Sequence, residues 1–493
     1  MIEKRTVTDR LGFRLLFSCL AAFSVLIICS KSSFLYPMND WVDVNCFFTV
    51  GRGIIHGLMP YRDLYDQKGP LVYLVYALAS LVSENTYVGV FLLEGLFYTL
   101  FLHICGRVAE TLSGQRFSYW LSVAMMAILV PVTPAFSHGS SAEEFFLPVF
   151  ALGLFLPLRA MHENRLLSLR EGFVLGLCTA AALWTKYTFA GLFLGLAAAV
   201  MIWYLARKSA RQLLWLIGFF VLGILTLTGP LLLWFAFRGA AKDLWKVYFV
   251  DNLTQYFQNI RGGVYAAPIP NLLNNLPWSI PGVFGILWLV LSWKKRGWEA
   301  LAAVLGAVCL FIFTYASGRR YPYYALVLSV FAPLGLAGLF SLSERVKRKY
   351  GSTAASVFAV LLLLMNPLIA YGASGNTYLM RVPKDAMPQF RFAAIIKQQE
   401  DRSLLNDGFL DGGFYFAAET LPTERFFCTV NNDLAEMKEA HTESVRQGRT
   451  AFVVTRMRKL SDDANYELID TASMLFEGRT WDYYLYKRAD SRN

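Results

Sequence analysis

Eight ionisable side chains crowd the stretch from Pro37 to Val82, PMNDWVDVNCFFTVGRGIIHGLMPYRDLYDQKGPLVYLVYALASLV: Asp40, Asp43, Asp63, Asp66, Arg52, Arg62, Lys68 and His56. Apolar segments flank it on both sides, and polar groups this dense beside a bilayer are costly unless they serve a site. Two carboxylate pairs carry the chemistry. Asn39 reads as an N-cap, which places Asp40 and Asp43 three residues apart on one helical face. Asp63 and Asp66 fall in the polar run Tyr61-Arg-Asp-Leu-Tyr-Asp-Gln-Lys-Gly-Pro70, ahead of a second helix that starts at Pro70. Carboxylates converging from two elements can act as a general base on a hydroxyl. The same oxygens could hold Mg²⁺ or Mn²⁺. The plain alternative is that first-turn acids only complement a helix dipole.

Further candidates stand later in the chain. Ser137-His-Gly-Ser-Ser-Ala-Glu-Glu144 ends in adjacent acids, Glu143 and Glu144, at a helix start. Capping explains one of them and substrate contact is the other reading. Lys186, in Trp184-Thr-Lys-Tyr187, lies between two short apolar segments and reads either as a pocket residue or as an interfacial turn. Glu94 and His103 lie inside an apolar segment, where a neighbouring hydroxyl can satisfy a single Glu; neither is taken as a site residue.

The elements that must position these groups are membrane helices. Of the 493 residues, 56% are hydrophobic and 16% charged, with a mean hydropathy of +0.43. Soluble domains carry about 25% charged residues. The net charge of +11 is scattered in small groups between apolar runs, the pattern of cytoplasmic loops rather than of a nucleic-acid-binding surface. Eleven spans are expected: Leu11–Ser30, Tyr87–Gly106, Ser118–Pro134, Phe145–Leu158, Gly172–Trp184, Thr188–Leu205, Leu213–Phe237, Pro277–Trp293, Trp298–Ala316, Tyr323–Leu342 and Thr353–Tyr371. The basic N-terminus precedes the first without a small-x-small cleavage site, so that span is read as retained.

Pro70–Val82 is apolar but, at about 20 Å as a helix, too short to cross. Keeping it at the interface puts Arg107/Arg116, Arg159/Arg165/Arg170, Arg207/Lys208/Arg211, Lys294/Lys295/Arg296 and Arg345/Lys347/Arg348/Lys349 inside, with the N-terminus. The outer face then receives residues 31–86, 135–144, the turn 185–187, 238–276, 317–322 and everything after Gly372. Residues 39–57 carry Trp41, Val44, Phe48 and Ile55 at helical spacing and read as a membrane-surface helix. Residues 238–276 carry an aromatic stripe, Trp245, Tyr248/Phe249, Leu253, Tyr256/Phe257 and Ile260, read as a second amphipathic helix on the outer leaflet.

The division is therefore a transmembrane domain, 1–372, with its first outer loop at 31–86, and an extracytoplasmic domain, 373–493. In the latter, strand-like runs (Ala451–Thr455, Trp481–Tyr486) alternate with helical ones (Phe390–Gln399, Asp433–Arg446), giving a small α/β fold. The fold class is an all-α polytopic membrane bundle of about 11 helices, two more lying in the interface, with that α/β domain appended. No repeat is evident, which weakens a transporter reading. Seven cysteines fall mostly in apolar runs without CxxC and imply neither a disulfide framework nor a zinc site.

The order of features resembles the GT-C superfamily of polyprenyl-phosphate-sugar glycosyltransferases, in particular the lipid A aminoarabinose transferases, the protein O-mannosyltransferases and related bacterial envelope enzymes. The shared features are a first span, a long outer loop with two surface helices, an acid in the first and an acidic-x-Lys-x-Pro-like run before the second. Asp43, in Trp41-Val-Asp-Val-Asn45, and Asp66, in Tyr65-Asp-Gln-Lys-Gly-Pro70, match those acidic positions. Where the aminoarabinose enzymes have Glu-Lys-Pro-Pro, this chain has Asp66-Gln-Lys-Gly-Pro. The resemblance is detailed from Leu11 to about Tyr187 and architectural beyond.

The resemblance implies a bacterial inner-membrane or plasma-membrane glycosyltransferase. It would pass a sugar from a polyprenyl-phosphate donor to a hydroxyl of an envelope glycan, lipid or protein, with inversion. Asp43 would be the base, Asp66 its partner and Asp40 the stand-in. Asp63, Lys68, Glu143, Glu144, Lys186, Arg319, Arg320 and Tyr321 would bind substrate or phosphate, Arg through two donors and Lys as a point charge. Snorkelling at a helix end is the plain reading of the two arginines. A divalent metal is left open, and the partners are the donor, the acceptor and the bilayer. The rival classes are a transporter or flippase of lipid-linked sugars, which would bury charge along its helices, and a diphosphate-dependent polymerase or ligase, which would place arginines and a histidine in a large late loop.

Overall fold

A computed structural model describes residues 11–254, 268–316, 318–319, 321–342, 344–431, 434–461, 465–476 and 478–489. All eleven apolar segments contain helix. Among the described residues, eight helices are long and apolar enough to cross a membrane: Leu11–Cys29, Val88–Ser113, Ala142–His162, Tyr187–Ala206, Ala210–Phe237, Trp293–Tyr315, Pro322–Leu342 and Ala354–Ala373. The other three helices are shorter than these eight, although Leu169–Thr185 runs past its expected bounds at both ends. Phe117–Leu129 has 13 residues, followed by turns through Pro131 and Pro134; Leu169–Thr185 has 17, and Leu276–Leu291 has 16. The segment expected at Phe145–Leu158 begins earlier, because the Ser141 side chain accepts the Glu144 amide and caps a turn at Ala142.

The chain divides into two compact units. A helical unit comprises Met1–Ser30, Leu93–Leu231 and Ile260–Thr377; a mixed unit comprises Lys31–Leu92, Leu232–Asn259 and Tyr378–Asn493. In the helical unit, Tyr187–Ala206 packs directly on Trp293–Tyr315. A Cβ at Gly195 would lie 2.2 Å from the Leu305 carbonyl oxygen, so only glycine lets these backbones meet. A bidentate pair, Arg14 to Glu110 at 2.6 and 2.8 Å, joins the first span to Val88–Ser113.

The mixed unit is built around helices α1 (Val42–Ile55) and α2 (Pro70–Ser80). Helix α2 starts at Pro70 as expected, after Gly69 in an extended conformation. It leaves Leu78 exposed, together with Leu81 and Val82 just beyond it, which suits an apolar surround. Helix α1 departs from the expectation in two ways. Its N-cap is Trp41, not Asn39; the Asn39 side chain instead accepts the Trp41 amide and turns the chain ahead of the helix. It is also buried on every side rather than half-sunk in a surface. Val44, Cys46, Phe47, Phe48 and Val50 are at most 1% exposed. Phe47 packs on Tyr73 and Tyr76, while Thr49 donates to Asp411 at 2.6 Å and Arg52 to the Tyr415 carbonyl at 3.3 Å. Thr49 and Arg52 of α1 are thus bound by the C-terminal segment.

That segment forms one four-stranded sheet, β1 (Leu404–Asp407), β2 (Phe452–Arg456), β3 (Tyr466–Phe476) and β4 (Arg479–Arg488), in the order β1-β2-β4-β3. The first pair is parallel, with helix α3 (Ala435–Gln447) in the crossover; the other two are antiparallel. Strands β2 and β4 and the two helical stretches fall near their expected places, whereas β1 and β3 were not anticipated. The expected amphipathic helix of the late loop starts as an α-helical turn, Ala241–Leu244, and continues as a π-helical one, Trp245–Asp251, with Val247 and Tyr248 buried and Trp245 exposed. Tyr256, Phe257 and Ile260 of its stripe lie outside the described residues.

Candidate active site

Asp43 and Asp66 both feel the Lys68 ammonium, Asp43 as its ion-pair partner and Asp66 through its charge. Asp43 lies in the first turn of α1 and is 8% exposed. Its Oδ2 stands 3.3 Å from Lys68 Nζ. Asp66, 4% exposed, precedes α2 and accepts from the Gln67 amide at 2.7 Å and from the Tyr73 hydroxyl at 2.9 Å. Burial pushes its carboxyl up from the usual 3.8 to about 6; the nearby Lys68 ammonium pulls it down, and the Asp43 charge raises it. Lys68 therefore balances both carboxylates.

The loop between the helices is fixed from several sides. The Lys68 amide donates to the Tyr73 hydroxyl at 2.9 Å and the Tyr61 hydroxyl to the Lys68 carbonyl at 2.6 Å. Tyr65 donates to Asp251 at 3.1 Å, and Asn252 donates to the Gln67 carbonyl at 2.9 Å. Helices α1 and α2 pack closely enough that a Cβ on Gly51 would lie 2.6 Å from the Tyr76 carbonyl carbon.

Asp40 and Asp63 are engaged elsewhere. Asp40, ahead of the helix rather than on the same face as Asp43, is paired with Lys31 at 2.7 Å, both side chains 1% exposed. Tyr378 adds a hydroxyl 3.2 Å from Lys31 and 3.4 Å from Asp40. Asp63 accepts from Arg62 at 2.7 and 2.8 Å and from the Met59 amide at 2.7 Å. The Arg62 guanidinium holds its carboxyl below the usual range.

The helical unit holds a second group. Lys186 Nζ stands 3.0 Å from Glu143 and 3.4 Å above the centroid of Tyr324. Glu144 accepts the Ser140 amide at 2.6 Å; Glu94 accepts the same amide at 2.9 Å and the hydroxyls of Ser30 and Ser140 at 2.6 and 2.9 Å. Neighbouring hydroxyls thus satisfy Glu94. Tyr321 stacks on Tyr323, and Arg319 is half-buried; Arg320 lies outside the described residues.

Sequence reading missed Lys31 and Tyr73. Lys31 directly follows a span, a position snorkelling explains equally well. Tyr73 carried a usable signal, since it stands where the first turn of a helix starting at Pro70 faces back on its own loop. As for a divalent cation, among the described residues no three His, Cys, Asp or Glu side chains gather as its ligands would.

No protein-family model matches the sequence, and no curated protein matches it. Among solved structures, ArnT from Cupriavidus metallidurans bound to undecaprenyl phosphate is similar over 99% of this chain and 99% of its own, with 15% identity and a TM-score of 0.64. The same protein in the apo state is similar over 96% and 97%, again with 15% identity and a TM-score of 0.64. With eight helices among the described residues able to span a bilayer, the chain is a multi-pass membrane protein that shares the fold of ArnT.

Proposed function

We propose that the chain is a membrane glycosyltransferase that moves a sugar from a polyprenyl-phosphate carrier to a hydroxyl of a cell-envelope glycan, lipid or protein, on the outer face. The observation that carries this reading is Lys68 shared between Asp43 and Asp66. The full-length fold likeness to an ArnT crystallised with undecaprenyl phosphate supports the donor class.

The chemistry follows from the charges. An acceptor hydroxyl must shed its proton as its oxygen attacks the anomeric carbon, and the phosphate must carry away the bond's electron pair. Asp43 orients the hydroxyl and takes the proton. The arriving phosphate competes with Asp43 for Lys68, which frees the carboxylate and neutralises the leaving group together. Asp66, held by Tyr73 and Gln67, keeps Lys68 in place once Asp43 lets go. A single displacement inverts the sugar carbon. Asp40, locked to Lys31, is assigned to holding the loop, as is Asp63 with Arg62. Lys186 (with Glu143 and Glu144 beside it), Arg319, Arg320 and Tyr321 are the helical unit's candidates for substrate or phosphate binding.

Purified protein in nanodiscs, given a panel of polyprenyl-phosphate sugars and envelope acceptors, tests the proposal. Covalent transfer with one polyprenyl phosphate released per sugar is expected. Transbilayer movement of intact donor without a covalent product would replace it with the transporter reading.

A further inference from the structure

Of the seven cysteines, five lie in apolar helices of the helical unit: Cys19 and Cys29 in Leu11–Cys29, Cys105 in Val88–Ser113, Cys178 in Leu169–Thr185 and Cys309 in Trp293–Tyr315. The remaining two belong to the mixed unit and meet. Cys46 sits in α1, and Cys428 stands 382 residues later, ahead of α3, yet their sulfurs are 3.7 Å apart. Each is 1% exposed. Opposed buried thiols need only small rotations about their Cα–Cβ bonds to reach the roughly 2.05 Å of a disulfide. The charge distribution of the loops puts both residues on the outer side, where thiols are oxidised.

We propose that Cys46 and Cys428 form a disulfide that staples the helix carrying Asp43 to the C-terminal domain. Each thiol gives up its hydrogen and one S–S bond forms. The two electrons and two protons pass to a disulfide-bearing thiol oxidase of the outer compartment, which is reduced to its dithiol. Burial pushes both thiols up, Cys46 well above its ordinary value. Few thiolates exist in the folded protein, so the bond forms before the helix is covered and afterwards resists exchange. It is a structural clamp joining segments that no helix or strand connects, and it is independent of which sugar the protein transfers.

The test is to trap native membranes in acid, denature the protein and label free thiols with a mass-tagged maleimide before or after reduction. Five labels without reduction and seven after it are expected, the difference being this pair. Peptide mapping should give one cross-linked species, carrying Cys46 and Cys428, two hydrogens lighter than the sum of its parts. Cys46→Ala should expose Cys428 to the label; Cys178→Ala, remote from the pair, should leave the cross-linked species intact and keeps the test valid if the first variant fails to fold. Seven labels without reduction, or a cross-link between other cysteines, would overturn the proposal.

Discussion

Lys68 is tied to both carboxylates at once: its Nζ lies 3.3 Å from Asp43, and its backbone amide donates to the Tyr73 hydroxyl, which donates to Asp66 at 2.9 Å. A side chain placed this way can give up one partner without losing its position. Lys68→Met should therefore leave the fold intact and weaken donor binding by about 10- to 100-fold, the worth of one charged hydrogen bond. Initial rates against polyprenyl-phosphate-sugar concentration read this as a rise in KM. An unchanged KM would remove Lys68 from the phosphate.

Asp66 gives a pH dependence with a definite sign. Its carboxyl titrates near 3.8 when unfolded and about 6 when folded, because burial disfavours its charge. Between those values the native state holds a proton that the unfolded chain has released. The group's stabilisation is therefore complete below the unfolded value and lost as pH rises through about 6, a change of about 3 kcal/mol. Asp66→Asn should remove this slope, so the melting temperature of the wild type falls relative to the variant's as pH rises from 4 through about 6. Transfer by the wild type should fall on the acid side of about 6, where Asp66 no longer balances Lys68. Melting curves and rates from pH 4 to 8 check both.

The Asp40–Lys31 pair separates structure from catalysis. With both side chains 1% exposed, Lys31→Ala leaves a buried carboxylate alone. A loss of about 3–5 kcal/mol is expected, most of it recovered by the double change Lys31→Met, Asp40→Leu. Thermal unfolding measures this; a rescued double variant that still transfers sugar would place Asp40 outside the chemistry.

Much of this was legible in the sequence, for identifiable reasons. Segments of apolar residues give helices wherever they occur, and Pro70 after Gly69 marks its own helix start. The resemblance to polyprenyl-phosphate-sugar glycosyltransferases, rather than spacing, picks Asp43 and Asp66 out of the four carboxylates. What could not be read was which faces become buried. The stripe Trp41, Val44, Phe48 fits a surface helix and a buried one equally; only Asp411 and Tyr415, more than 300 residues on, reveal that Thr49 and Arg52 are bound. Lys31 and the pair Cys46–Cys428 depend on tertiary contacts in the same way. The end of the span expected at Ser118–Pro134 could not be read either, because a helix of 13 residues is followed there by turns through Pro131 and Pro134.

Gly51 tests whether the closeness of α1 and α2 sets the site. Because a Cβ there would meet the Tyr76 backbone at 2.6 Å, Gly51→Val must push the helices apart. Destabilisation of about 1–3 kcal/mol is expected. Transfer should fall further than stability does, since Asp43 moves relative to Lys68. Activity equal to wild type at a temperature where the variant is folded would show that the spacing does not matter.

The most direct measurement is the single-turnover rate of sugar transfer by Asp43→Asn, with binding of undecaprenyl phosphate measured on the same preparation. Loss of a general base predicts a rate lower by about 100- to 10,000-fold, with lipid binding kept or tightened because Lys68 is released. A rate within a few-fold of wild type, on a protein that binds the lipid normally, would contradict the assignment of Asp43 as the group that takes the acceptor's proton.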